Sequence, residues 1–525
     1  MSYDQPAEPQ STRARPNRSV RGERLTTFPE REPNLPRAPL DPIPSGEPRD
    51  PIEVSPQTQP DHHRPTPEPP GEDQVVFETF TPTFRHADDP DPAGIDIRWV
   101  PDGSGSDCEP GVVLGAFNSY LDVSTDRGQS FTQHDPHAMF GDTLAGGFSG
   151  DQVIVYVPRI DRFVWYMQQS KSVTGEGALR LAVATPERLL ADPEGSWTYW
   201  DFAAGDFGHP ADWLDFPDLA ASDQFLYLAT DIIGPPPSPG AGAPSLGRLV
   251  GRVDLQELAA EGYITISYHE LLGDNYGTLY AKLAQRSHKG ALWAGHADSS
   301  TLRIHSWPDN SPYYGSADVA VAWWNPDPKS VTSIAPDNST DWLAFKAATI
   351  PPNTGDQIYA NYVSGIACAP PGDLWLAWTV GKGSADNGTV PFPQPHVRVA
   401  AVDTTNWTLL AEAQVWNPDI AFANPVLDVN IAGDVAIGVA FGGAQDNPNC
   451  AWGLLYDPAH VVWYPAASDI AANRFGDYEA VRADARVSRA FAGFGYYAMK
   501  TTLAGYPGGY RPNPYYVRFG LAGLF

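Results

Sequence analysis

The sequence predicts an all-β chain built from repeated four-stranded sheets, and three observations point there. From about residue 73 onward, short runs of Val, Ile, Phe, Tyr and Trp are separated by Gly, Asp, Asn and Pro, the pattern of strands punctuated by turns. The composition agrees: 48 Gly and 53 Pro accompany 16 Trp, 23 Tyr and 22 Phe, with only 18% charged residues, which favours pleated aromatic sheets over helices. The runs also recur in groups of about four over roughly 50–70 residues, the period of a radial array in which each repeat is one sheet.

Residues 1–72 come first and are different. They are dominated by Pro, Arg, Glu, Ser and Thr, and cannot bury enough apolar surface to offset their ordering entropy, so a disordered tail is expected. Within it STRARPNRSVRGER is locally basic, either solvated charge or a docking peptide for a protein partner. Residues 73–525 form the domain. Its first group of runs holds STDRGQSF. The second reads DQVIVYVP, RFVWYMQ, ALRLAVAT and SWTYWDF, and the third FPDLAAS, QFLYLATDI, GRLVGRVD and YITISYHE. The fourth reads LYAKLAQ, ALWAGHA, TLRIHSW and SADVAVAWW; the fifth runs from QIYANYVSGIA to WTLLAEAQVW, and the sixth from PVLDVNIA to VVWYPAA. The last, GDYEAVRAD, AFAGFGYYAM and YYVRFGLA, is one strand short. QVVFETFTPTF, just after the tail, is placed to supply it, since an open ring would leave an edge unpaired. The predicted architecture is therefore a seven-bladed β-propeller, with six blades as the alternative, closed by an N-terminal strand. Helical periodicity is confined to PERLLAD and LQELAAEG.

The net charge of -29 disfavours nucleic acid and anionic membranes as partners, because a polyanion would be repelled. No run reaches the length of a membrane span. Cys108, Cys368 and Cys450 are far apart and odd in number, so neither a disulfide framework nor a C-x-x-C metal site is suggested. The N-terminus lacks the apolar core of a secretory signal, which makes the cytoplasm the default expectation and export by a non-classical route the alternative.

STDRGQSF, Ser124 to Phe131, keeps a strict spacing in which Asp126 can accept from turn N–H groups, Gly128 can turn left-handed and Phe131 can pack into a sheet. With Ser130 it resembles the Asp-box of sialidase-like β-propellers, where the motif joins the third and fourth strands of a blade. DFPDLAAS, FGDYEAVRAD and GDQVIVYVPRIDRFVWYMQ likewise resemble segments of uncharacterised bacterial sialidase-like propeller proteins. The resemblance implies a fold-building turn away from the active face. The Arg-Ile-Pro motif of the sialidases is missing: VPRID, at Arg159, has another order.

Candidate site residues cluster where the first runs of the groups begin. Asp151, Asp215, Asp218, Asp356, Asp428, Arg474, Asp477, Tyr478 and Glu479 would ring a channel mouth, binding a cation or serving as acid and base on a sugar, or each Asp caps its own loop backbone. His296, His305 and His209 are the histidines available as a lyase-type base or metal ligand; Asp88, Asp89 and Asp91 lack the spacing of a known calcium loop. The expected function is a propeller that recognises carbohydrate or acts on it as a glycoside hydrolase or polysaccharide lyase, with Asp151, Asp218, Asp477, Tyr478, Arg474 and His296 as site residues. The alternative is a non-catalytic scaffold recruited through its tail. No cofactor is expected beyond a structural or channel-bound calcium ion.

Overall fold

The computed structural model describes residues 10–14, 17–18, 52–53, 57–58, 75–84, 86, 105–108, 111–140, 146–238, 243–272, 280–344, 362–383, 392–455, 463–464, 468–472, 475, 479–485, 489–506 and 508–521. Within them the chain runs as successive antiparallel meanders. The first comprises Gly105–Asp107, Val113–Phe117, Tyr120–Ser124 and Thr132–His134. The second comprises Phe148–Val157, Arg162–Gln169, Ala178–Ala184 and Thr198–Ala203, and the third Trp213–Ala221, Phe225–Ile233, Ser245–Asp254 and Ile264–Leu272. The fourth pairs Gly290–Asp298, Thr301–Pro308 and Gly315–Ala320, with Leu283 bridged to Trp293 in front of them. The fifth runs from Val363–Ala369 through Asp373–Val380 and His396–Asp403 to Thr408–Trp416, and the sixth opens with Ile420–Val429, Val435–Gly443 and Asn449–Leu454. The last comprises Ala480–Ala483, Phe491–Lys500 and Tyr510–Leu521, and Val75–Pro82 pairs antiparallel along Tyr510–Leu521 as its outer strand.

Strands such as Arg162–Gln169 are buried along their whole length, because each sheet is covered on both faces by its neighbours. The core accordingly divides between consecutive sheets. Val153, Val164, Leu228 and Leu249 fill the space between the second and third meanders, and Leu376, Trp378, Leu302 and Ile304 that between the fourth and fifth. Val113 and Phe131 of the first meander pack with Ala480, Phe494 and Tyr516 of the last. The first strands also touch in succession: Gly105–Asp107 lies against Phe148–Val157, that against Trp213–Ala221, and Ala480–Ala483 lies against both Ile420–Val429 and Gly105–Asp107.

The two helical stretches expected from sequence, Pro186–Ala191 and Leu255–Ala260, both connect third to fourth strands, and a further helix, Pro136–Phe140, follows the first meander. The first two start under a side-chain cap: Thr185 accepts from the Arg188 N–H and Asp254 from the Gln256 N–H. In the tail, Gln10–Ala14 pairs antiparallel with Ile264–Leu272, Asn17–Arg18 with Thr198–Ala203, and Ile52–Glu53 and Gln57–Thr58 run parallel to Thr408–Trp416 of the fifth meander and to Trp463–Tyr464, which pairs with Asn449–Leu454 of the sixth. Edge pairing of this kind needs backbone groups only, so a segment without apolar periodicity can make it. The rest of residues 1–72 lies outside the described residues.

Candidate functional site on the ring of first strands

The Ser124–Phe131 turn joins the third and fourth strands of the first meander. Asp126 Oδ1 accepts from the N–H groups of Gln129 (3.0 Å) and Ser130 (2.9 Å) and from Ser124 Oγ (2.7 Å), while Oδ2 accepts from Ser130 Oγ (2.6 Å). Slight burial raises the Asp126 pKa, and the bonds from Ser130, Ser124 and Gln129 outweigh it, holding the carboxyl below its ordinary value. Arg127 and Gly128 take left-handed φ of 69° and 80°. Phe131 meets Tyr516 at 6.0 Å and Thr81 Oγ1 donates to the Gly128 carbonyl at 2.5 Å, so the turn fastens the first meander to the last. Its carboxylate is spent on its own backbone.

The first strands carry β-bulges near their starts, between Phe148 and Gln152, Asp215 and Asp218, Val363 and Gly365, and Ala423 and Val426. Gly150 (φ 106°), Phe216 (φ 52°) and Asn424 (φ 51°) sit inside three of them with left-handed backbone. Bulges re-aim side chains, and a left-handed Phe is costly enough to need a surrounding that holds it. Phe216 is held edge-on against Tyr280 and Tyr362, at 5.1 and 5.6 Å.

Past the bulges, carboxylates join one first strand to another. Asp218, 4% exposed, accepts the Leu283 N–H at 2.6 Å. Asp428 Oδ2 accepts the Ala483 N–H at 2.7 Å and its Oδ1 the Val429 N–H at 2.8 Å. Asp107 Oδ1 accepts the Ala485 N–H at 3.4 Å. The N–H that the Asp218 carboxylate accepts belongs to the next meander rather than to its own loop.

Arg286 brings cationic charge to the same first strands. It belongs to the fourth meander, has a left-handed φ of 60°, and reaches the sixth and seventh: Nε lies 3.2 Å from Asp428 Oδ1, and Nη2 3.5 Å from Oδ2 and 3.4 Å from the Ala483 carbonyl. Its side chain is 38% exposed against 1% for Asp428, so the guanidinium keeps a free side. Arg482, half-buried, donates from Nη1 to the Val481 carbonyl at 2.9 Å, and its Nε is buried without a hydrogen-bond partner among the described residues. Burial lowers the Arg482 pKa, Asp428 and Asp218 oppose that, and Arg286 adds to it. Two guanidinium groups and two carboxylates thus interact within the ring, the carboxylates taken up by N–H donors and the guanidiniums incompletely used.

Of the residues singled out from sequence, Asp218 and Asp428 lie in this cluster. Asp151 stands at the entry bulge of the second meander, half-exposed; its N–H donates to Gln168 Oε1 (2.9 Å), and Gln168 Nε2 donates to Asp215 Oδ1 (2.6 Å). His296 is 1% exposed on a second strand, 4.8 Å from the Trp324 ring and 5.3 Å from Trp378, within the packing between two sheets. His305 stacks on Trp293 at 5.3 Å. His209 stands in a loop between Asp212 Oδ2 (2.8 Å) and Glu270 Oε1 (3.3 Å). Arg474, Asp477, Tyr478, Asp356, Asp88, Asp89 and Asp91 lie outside the described residues. Among the described residues no three His, Cys, Asp or Glu side chains converge as a metal-binding group. Arg286 and Arg482 were not singled out by sequence reasoning; the available signal was an arginine in or beside a first strand of a chain poor in cations.

No family model matches the sequence, and no curated protein matches it. Among solved structures, the α-L-arabinanase of Penicillium chrysogenum complexed with arabinobiose aligns over 86% of this chain and 99% of its own at 9% identity and a TM-score of 0.38. The α-L-arabinofuranosidase of Fusarium graminearum with an iminosugar inhibitor aligns over 85% and 98% at 11% identity and a TM-score of 0.39. A quinohemoprotein alcohol dehydrogenase from Comamonas testosteroni aligns over 79% and 66% at 9% and 0.37. Likeness at this level spans unrelated chemistries, and no activity is carried over from it.

Proposed function

We propose that residues 75–525 form a closed seven-bladed β-propeller of sialidase-like type that recognises an acidic carbohydrate in its ring of first strands. Three features support the architecture: the contact of Ala480–Ala483 with Gly105–Asp107, the last-to-first core around Phe494 and Tyr516, and the pairing of Val75–Pro82 with Tyr510–Leu521. The Ser124–Phe131 turn supports the family resemblance. The observation that carries the functional reading is the pair Arg286 and Arg482, one with an exposed side and the other with a buried, unpartnered Nε. A sugar carboxylate offers the planar acceptor geometry that guanidinium groups bind best. Recognition is favoured over cleavage by Asp218 and Asp428, because hydrolysis needs two carboxyl groups free to pass protons or attack and these two hold the N–H groups of neighbouring strands.

The test is a glycan array probed with the full chain and with Arg286→Ala and Arg482→Ala. Binding to uronate-bearing glycans is expected for the wild type, with a loss of about tenfold or more in each variant, the size of one charged hydrogen bond. Equal binding by all three proteins, or binding confined to neutral glycans, refutes the reading.

A further inference from the structure

A second site lies at the seam between the first and last meanders, and it owes nothing to the carbohydrate reading. Asp122, on Tyr120–Ser124, is 3% exposed. Its Oδ2 accepts from Thr83 Oγ1 and its Oδ1 from Gln133 Nε2, both at 2.7 Å. Among the described residues no Arg, Lys or His makes an ion pair with it, in contrast to the buried carboxylate Asp231, which faces Arg248 at 2.5 Å. The titratable groups coupled to this wall are Tyr120, which faces Asp122, and Arg511 and Tyr506, which act on Tyr120. A buried ionised carboxylate with no counter-charge is costly, and proteins neutralise it with a proton or a cation.

Beside Asp122 there is room for the second solution. A small cavity lined by Thr81, Thr83, Phe117, Tyr515 and Tyr516 opens against the carboxylate, with room for a single guest the size of a water molecule. The hydroxyl oxygens of Thr81 and Thr83 keep lone pairs after donating their protons, and aromatic walls favour a weakly hydrated cation. Calcium or magnesium would need several carboxylates or a shell of waters, for which neither charge nor space is provided.

We propose that this cavity is a site for a single monovalent cation of potassium or ammonium size, held by Asp122, which fastens the N-terminal strand and the first meander to the last. Thr83 ties the site to that strand, since its N–H donates to the Pro514 carbonyl at 2.9 Å. Burial pushes the Asp122 carboxyl up to about 7, against the bonds from Gln133 and Thr83, so a proton competes with the cation below neutrality.

The experiment is urea unfolding of the full chain at constant ionic strength in potassium, ammonium or choline chloride, at about pH 8 and about pH 5.5. Potassium or ammonium is expected to raise the unfolding midpoint saturably over choline at the higher pH. The apparent affinity should fall about 30-fold at the lower pH, the ratio of ionised fractions for a group titrating near 7. The saturable response should be absent from Asp122→Asn. If that variant does not fold, the wild-type ion series and its pH dependence decide alone. An equal effect of choline means screening only, an absent effect means that the cavity holds water only, and a response surviving in folded Asp122→Asn places the ion elsewhere; each overturns the proposal.

Discussion

Replacing Asp428 separates its two partners, a strand and an arginine. In Asp428→Ala the buried N–H of Ala483 loses its acceptor, as does that of Val429, and an unsatisfied buried donor costs about 1–3 kcal/mol. Arg286 also loses its carboxylate, but its side chain is 38% exposed, and water can solvate it at a cost of about 1 kcal/mol or less. The expected destabilisation is therefore about 2–4 kcal/mol, carried mainly by the backbone. Asp428→Asn keeps an amide oxygen for one N–H and removes the charge, so it should cost about 1–2 kcal/mol, and Arg286→Ala less than about 1 kcal/mol. Thermal scans resolve this poorly, because in a domain of this size each kcal/mol moves the midpoint by only about 1 °C. Urea unfolding followed by tryptophan fluorescence is the better assay. If Asp428→Ala unfolds within about 0.5 kcal/mol of the wild type, or Asp428→Asn is the worse of the two, carboxylates do not hold the first strands together and the site must be reinterpreted.

Two further outcomes follow from local geometry. Gly128→Ala should destabilise by about 1–3 kcal/mol, since φ is 80° and the new Cβ would meet the Tyr516 ring at 2.3 Å; Asp126→Ala, which removes an exposed carboxylate, should cost less and leave glycan binding unchanged, as comparison of the two by urea unfolding and array binding will show. His396, fully buried and hydrogen-bonded to Gln414 at 3.0 Å, has its pKa depressed to about 3 by burial and then by Arg398. The unfolded chain therefore takes up the proton first, and stability that is complete above about pH 6.5 is lost as pH falls, by about 2–3 kcal/mol on reaching pH 4.5. His396→Gln should show a correspondingly flatter acid limb in unfolding midpoints measured against pH.

Much of this architecture is legible in the chain because strand formation and turn chemistry are local. The four runs from DQVIVYVP to SWTYWDF become the second meander, PERLLAD and LQELAAEG become helical connections, and Asp126 finds its hydrogen-bond partners within four residues. The site was less legible because its contacts are long-range. The Asp218 side chain answers an N–H 65 positions away, and Arg286 a carboxylate 142 positions away. His296 shows the converse: its sequence surroundings suggested chemistry, and the fold buries it between the rings of Trp324 and Trp378, which come from distant parts of the chain.

The sequence by itself determined that the chain is all-β, that its strands follow one another in antiparallel groups, and that Ser124–Phe131 is a turn, since hydrophobic period and turn residues act over a few positions. Only the tertiary structure decided which carboxylates staple neighbouring strands, which arginines are left with unused donors, and that Asp122 is buried beside a cavity without an ion-pair partner among the described residues. The physical reason is that burial and charge pairing depend on which surfaces the packed sheets bring together, and that juxtaposition is absent from any short stretch of the chain.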